Sequence, residues 1–321
     1  MSPETIGKYR LVAPLGEGVR GMVYRAVAQD SNQPVALKVV PGEKFPDETA
    51  RQKFLEEARA AAKLSHPHLR QLYEAGESGD KLYLAMEYLE GVTLKSLQVA
   101  GPTDAETALA WGAEMADALA AAHAQGIVHG DLRPTKIFIT SQGTVKLLDP
   151  GLWRLAAPVG DDLSQEAKLN ASGLSPATVA GLAPEQIRGK EPDARSDIFC
   201  LGTVLYELLT GRHPFIGRNL EQTMHWVLQH TPEPLSRLAA QAPAPLDTVL
   251  ARALEKEPRA RFASAADLAA ALRAVAAGEE LPAEVTKPVV VVRWTAPLWW
   301  GIGLVVLVLV AWFAFLALSR P

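Results

Sequence analysis

The sequence predicts an α+β fold of two unequal lobes, a small strand-rich one followed by a larger helical one, with a single apolar helix after them. Three observations carry this. From Tyr9 to about Val40, apolar and polar residues alternate between glycine turns, the period of strands. From Thr103 to Gln125 and again from Asp197 onward the period is helical. Leu298 to Leu318 contains no charge at all. A length of 321 residues accommodates one two-lobed domain with a tail, and a cleft between unequal lobes is the natural place for a ligand.

The elements follow in order. Glu48 to Leu64 reads as a helix with Phe54, Leu55, Ala58, Ala61 and Ala62 on one side. Leu69–Tyr73 and Lys81–Tyr88 read as strands separated by a turn over 76–80. Thr103-Asp104-Ala105-Glu106 has the form of a capping box in which Thr103 and Glu106 satisfy each other's backbone amides. The alanine-rich helix it starts ends where Gly126 supplies a left-handed cap. Short strands surround Gly143, and 152–181, rich in Gly, Ser, Pro and Ala, reads as a long loop. Ser264 caps the last helix of the lobe, which runs from Ala265. Domain limits are drawn at 9–275 for the two-lobed domain, 276–297 for a linker and 298–318 for the apolar span.

Composition narrows the functional class. Net charge is -4 and no basic run occurs, which argues against nucleic acid. The single cysteine, Cys200, excludes an internal disulfide and sits in an apolar run as a core residue. Histidines show no metal-ligand spacing, and His66 and His68 flank Pro67 in a turn. The N-terminus has no signal-peptide core. As a helix, the span at 298–318 would reach about 31 Å, close to the roughly 30 Å of a bilayer core. Trp299 and Trp300 sit at one end as interfacial anchors. Lys287 and Arg293 lie before the span and Arg320 after it, which favours a cytoplasmic position for the large N-terminal part. Only Ser319, Arg320 and Pro321 follow, so no sensor domain is expected beyond the membrane.

The residues that bear chemistry begin with Gly16-Glu17-Gly18-Val19-Arg20-Gly21. In a dinucleotide-binding unit such glycines open a helix; here Met22 to Val27 reads as a strand. A hairpin whose turn lets backbone amides approach phosphates fits better. Lys38 ends a Val-Ala-Leu-Lys strand, and its amine needs an anion. Glu57 on the following helix is the candidate, with Glu56 its rival.

These segments, taken in order with Leu64-Ser65-His66-Pro67-His68-Leu69, Met86-Glu87-Tyr88, His129-Gly130-Asp131-Leu132-Arg133-Pro134, Leu148-Asp149-Pro150-Gly151, Ala183-Pro184-Glu185-Gln186 and Arg195-Ser196-Asp197-Ile198-Phe199, are similar to those of the protein kinase superfamily. The resemblance is specifically to bacterial Ser/Thr kinases of the eukaryotic-like type, and it covers Tyr9 to about Val275. It implies a bilobal protein-kinase-like fold that binds ATP and passes its γ-phosphoryl group to protein Ser or Thr hydroxyls. Under it, Lys38 holds the α- and β-phosphates with Glu57 as partner, Asp131 orients and deprotonates the substrate hydroxyl, and Arg133 lies beside the transferred group. Asp149 binds Mg, one ion rather than two. Leu15, Gly16, Gly18 and Gly21 would cover the nucleotide. Val23, Ala36 and Phe138 would wall the adenine, Met86 guard its rear, and Glu87 and Leu89 offer backbone hydrogen bonds to its edge. Glu185 with Arg261 would tie the helical lobe together, and Asp197 would support the catalytic loop.

Three departures from the family pattern concern the chemistry directly. Lys136 stands where an asparagine ligates the second metal, and a charged ammonium has no lone pair to offer. Pro150 replaces a phenylalanine and disfavours helical backbone at Asp149. Gly130 replaces an arginine that clamps phosphorylated activation loops in many relatives. Gly181 likewise replaces a usual tyrosine near Thr178. Three readings stay open: a membrane-anchored Ser/Thr kinase of reduced or atypical activity, with an unknown protein substrate; a pseudokinase serving as a nucleotide-binding signalling module; and a membrane scaffold without nucleotide. The expected location is the inner cell membrane, single-pass, with the kinase-like domain cytoplasmic.

Overall fold

The computed structural model describes residues 4–18, 21–45, 47–152, 175–239 and 241–286. The expected membrane span, the linker from 287 onward, Val19 and Arg20 of the glycine turn, and most of the expected long loop (153–174) lie outside the described residues. Among the described residues no helix is long and apolar enough to cross a membrane.

The first lobe is a six-stranded antiparallel sheet in the order β1-β2-β3-β4-β6-β5. Its strands are β1 (Thr5–Ile6), β2 (Tyr9–Gly18), β3 (Gly21–Ala28), β4 (Pro34–Pro41), β5 (Leu72–Ser78) and β6 (Lys81–Glu87). The glycine motif is the expected hairpin, with Gly18 opposite Gly21. A side chain at Gly21 would meet the Val39 carbonyl at 2.0 Å, so only glycine fits there. Helix α1 (Glu48–Ala61) buries Phe54, Leu55, Ala58 and Ala61, and Asp47 caps it through the Ala50 amide. These side chains form one core with Ala36, Val40, Leu72, Leu84 and Met86.

The second lobe opens with β7 (Gly91–Thr93) and the short α2 (Leu94–Leu97), then α3 (Ala105–His123). Strands β8 (Ile137–Thr140) and β9 (Val145–Leu147) join β7 in a three-stranded sheet. After them come α4 (Pro176–Ala180), α5 (Pro184–Ile187), α6 (Ala194–Thr210), α7 (Leu220–Gln229), α8 (Leu235–Leu238), α9 (Pro245–Ala253), α10 (Ala265–Ala277) and α11 (Ala283–Thr286). The core is built from α3, α6, α9 and α10, with Leu119, Phe199, Leu205, Val249 and Leu272 fully or almost fully buried. Val285 belongs to the same core, so packing continues past the end of α10.

Three local expectations change. The N-cap of α3 is Asp104, whose carboxylate accepts from the Thr107 amide, and not Thr103, whose own amide is spent on the Leu208 carbonyl. Gly76 lies inside β5, and the turn to β6 narrows to Gly79 and Asp80. Residues 69–71 are not part of β5. Their backbone runs against the other lobe: the Leu147 amide donates to His68 O (2.8 Å) and the Arg70 amide donates to Leu147 O (2.9 Å). Non-local pairing overrides the local strand pattern there. Gly126 and Ser264 take their expected capping roles.

Candidate active site

The loop before β8 is fixed from beneath. Asp197, fully buried on α6, accepts from the His129 and Gly130 amides, both at 2.8 Å, and also contacts His123 Nε2 at 2.8 Å. A carboxylate with three such partners pins the backbone that presents Asp131. Gly130 itself has φ +72, and Gln186 Nε2 donates to its carbonyl at 2.9 Å. Further down, Arg261 and Glu185 form the expected bidentate pair, 2.8 Å at both oxygens and buried. Burial opposes ionisation of Glu185, but Arg261 and Ser196 outweigh it and lower its pKa.

Two backbone hydrogen bonds bring the reactive side chains together. The Leu148 amide donates to Lys136 O (2.8 Å), which sets Lys136 against Asp149. The Arg70 amide on Leu147 does the same for Arg70. Lys136 Nζ donates to Asp149 Oδ2 at 2.6 Å, and the Arg70 guanidinium pairs with Asp149 Oδ1. Burial alone would raise the Asp149 pKa; Lys136, Arg70 and Lys38 overcome it and hold the carboxyl well below its ordinary range. Asp149 has φ +59. The residue before Pro150 therefore avoids right-handed helical backbone, as the proline requires, by adopting a left-handed φ instead of an extended one.

Lys38 on β4 is 6% exposed. Burial lowers its pKa, and the Asp149 and Asp131 carboxylates counter this. Among the described residues it makes no hydrogen bond or ion pair, so the expected Lys38–Glu57 pair is not formed. Glu57 is half-buried while Glu56 is exposed, which makes Glu57 the inward of the two. Asp131 is held by Arg133, with Arg133 Nε 3.0 Å from Oδ1 and NH2 donating to Oδ2 at 3.2 Å.

Of the expected adenine wall, Val23, Ala36 and Met86 share one apolar cluster, and Ala36 lies directly across the sheet from Met86. Phe138 is half-buried on β8, opposite Thr93. The Glu87 amide already donates to Gln71 O (2.8 Å), which confines any adenine contact of that residue to its carbonyl. Its carboxylate is clamped by Lys146 Nζ at 2.8 and 2.9 Å. Leu89 follows, outside any strand or helix. Leu15 and Gly16 lie on β2, with Leu15 half exposed and open space around Gly16.

The sequence reading missed Arg70 and His123. His123 carries a faint signal, as the one histidine of α3, at its last position. Arg70 carries none, because its partner lies 79 residues away.

A divalent ion fits this arrangement poorly. Both oxygens of Asp149 are taken by cations, Lys136 has no lone pair to offer, and the Asp131 oxygens face Arg133. Among the described residues no group of three His, Cys, Asp or Glu side chains is placed to hold a metal.

A family model described as the protein kinase domain matches residues 9–271. The Ser/Thr protein kinase PknB of Mycolicibacterium smegmatis is 36% identical over 277 residues, covering 85% of this chain and 43% of its own length. The Ser/Thr protein kinase PknL of Mycobacterium tuberculosis is 35% identical over 276 residues, covering 86% and 67%. A crystal structure of the M. tuberculosis PknI kinase domain superposes with a TM-score of 0.68 at 28% identity, covering 86% of this chain and 99% of that one. The chain thus spans less than half the length of the PknB relative.

Proposed function

The chain belongs to the protein kinase family, a family that works with ATP and Mg2+, and from that premise we propose that it binds ATP and phosphorylates Ser or Thr hydroxyls of a protein, at reduced or atypical rate. The observation that supports this best is the Asp197 anchorage of 129 and 130, immediately before Asp131. It fixes the backbone that presents Asp131 in the same electrostatic neighbourhood as Lys38 and Asp149. In the proposed reaction Asp131 accepts the hydroxyl proton as the substrate oxygen bonds to the γ-phosphorus. The bond from that phosphorus to the bridging oxygen breaks, and ADP departs. Lys38, Arg133 and Lys136 offset charge on the phosphates.

A second reading has its own support. Asp149 and Asp131 are both engaged by cations, an arrangement suited to a pseudokinase that holds nucleotide and signals through a partner. The C-terminal run at 298–318 would place either form at the inner membrane with residues 9–275 on the cytoplasmic side. ³²P transfer from ATP to a mixture of Ser/Thr peptides, beside an Asp131→Asn control, separates the two. Transfer that disappears in the control supports the kinase; absence of transfer, with nucleotide still bound, supports the pseudokinase.

A further inference from the structure

We propose that Arg70 and Lys136 are resident counter-cations of Asp149, and that this site binds a nucleoside polyphosphate free of any divalent metal. The inference rests on the nucleotide-binding reading above and adds the form in which the nucleotide is taken.

The usual task of a divalent ion in phosphoryl transfer is to join a carboxylate to phosphate oxygens, two groups of like charge. Here the carboxylate already has its cations. Lys136 Nζ lies 2.6 Å from Asp149 Oδ2, and the Arg70 guanidinium meets Oδ1. These are not loosely screened surface pairs: the side chains of Arg70, Lys136 and Asp149 are 12%, 23% and 11% exposed. Nor do the cations arrive by chance reach. Arg70 is placed by its own amide on Leu147 O, Lys136 by its carbonyl on the Leu148 amide. Arg70 NH2 also packs on Met86 Sδ at 3.0 Å, beneath the expected adenine pocket.

Charge balance runs the same way. Among the described residues, Lys38, Arg70, Lys136 and Arg133 lie about Asp131 and Asp149, four positive charges against two negative ones. That surplus suits a polyphosphate and repels a cation. A metal ion entering here would have to displace an ammonium or a guanidinium from the Asp149 carboxylate.

The test uses the full chain in detergent micelles. ATP affinity is measured calorimetrically in excess EDTA and again in millimolar Mg2+, and Mn2+ alone is titrated by water-proton relaxation. The expected result is an ATP Kd that agrees within about threefold between EDTA and Mg2+, with no relaxation enhancement from Mn2+. The Arg70→Leu/Lys136→Asn double variant frees both Asp149 oxygens. It should gain an Mn2+ signal and bind ATP at least about tenfold more weakly in EDTA than in Mg2+. Lys136→Arg, which keeps the charge, should remain indifferent to metal even if the double variant fails to fold. Wild-type binding that is about tenfold or more tighter with Mg2+ overturns this inference and leaves nucleotide binding standing. Binding in neither condition overturns both. A folded double variant that binds ATP equally with and without metal removes the role assigned to the pair.

Discussion

At the scale of single residues, Lys38 is the most exposed to test. Its ammonium is buried on β4 without a hydrogen-bonded partner among the described residues, and burial lowers its pKa. A charge kept in such a place costs stability in the absence of ligand. Lys38→Met keeps the length and removes the charge. The ligand-free protein should gain about 1 kcal/mol, seen as a rise in Tm of about 2–4 °C. The same variant should lose the upward Tm shift that ATP gives the parent. A variant that is less stable, or that still responds to ATP, would show that the amine is already satisfied by a partner other than phosphate. Lys38, Asp131 and Asp149 were readable as residues because each sits in a contiguous motif. Arg70 was not. Its meaning comes from the Leu147 backbone it pairs with and the carboxylate two positions beyond, and neither leaves a trace beside it in sequence.

At the scale of elements, most boundaries were legible from caps and periods. Gly126 and Ser264 end and begin helices where the pattern places them, and the glycine motif is a hairpin because β3 follows it and no helix does. The start of α3 was legible only to within a residue. Thr103 and Asp104 are both capping types, and the choice is made by the Leu208 carbonyl, which takes the Thr103 amide. Asp104→Ala should therefore cost about 1 kcal/mol in chemical denaturation, and Thr103→Ala clearly less. The tie between α5 and the segment after α9 is stronger. Glu185 and Arg261 are buried together, so Glu185→Gln should cost about 3–5 kcal/mol. The sign of its pH dependence follows from a folded pKa below the ordinary carboxyl value of 4.5. The contribution is complete above that unfolded value and is lost as pH falls through the folded one. Between neutral pH and about pH 3, the parent should lose stability more steeply than Glu185→Gln. Parallel slopes would mean that the carboxyl keeps its ordinary pKa in the fold.

At the scale of the whole molecule, the two-lobed architecture was legible because strand and helix periods occupy separate stretches of the chain. How the lobes are stitched was not, since the bonds of residues 68–70 to Leu147 are long-range. The same stitch sets Arg70 against Asp149, so the joint between lobes and the charge state of the site are one construction. Membrane attachment is a separate question, carried by 298–318. That stretch of 21 uncharged residues has no polar face to turn to water, and the described part of the helical core ends with α10 and Val285. Under the anchor reading this segment is dispensable for folding. Deleting 297–321 should move the protein from the membrane fraction to the soluble one with its Tm changed by less than about 2 °C. A tag on the N-terminus of the full chain should resist protease added outside intact cells, the orientation the charge bias around the span favours. If the truncated protein aggregates or melts well below the parent, the apolar run is covering part of the folded domain. In that case the run is a piece of the core, and its lack of charge has nothing to do with a bilayer.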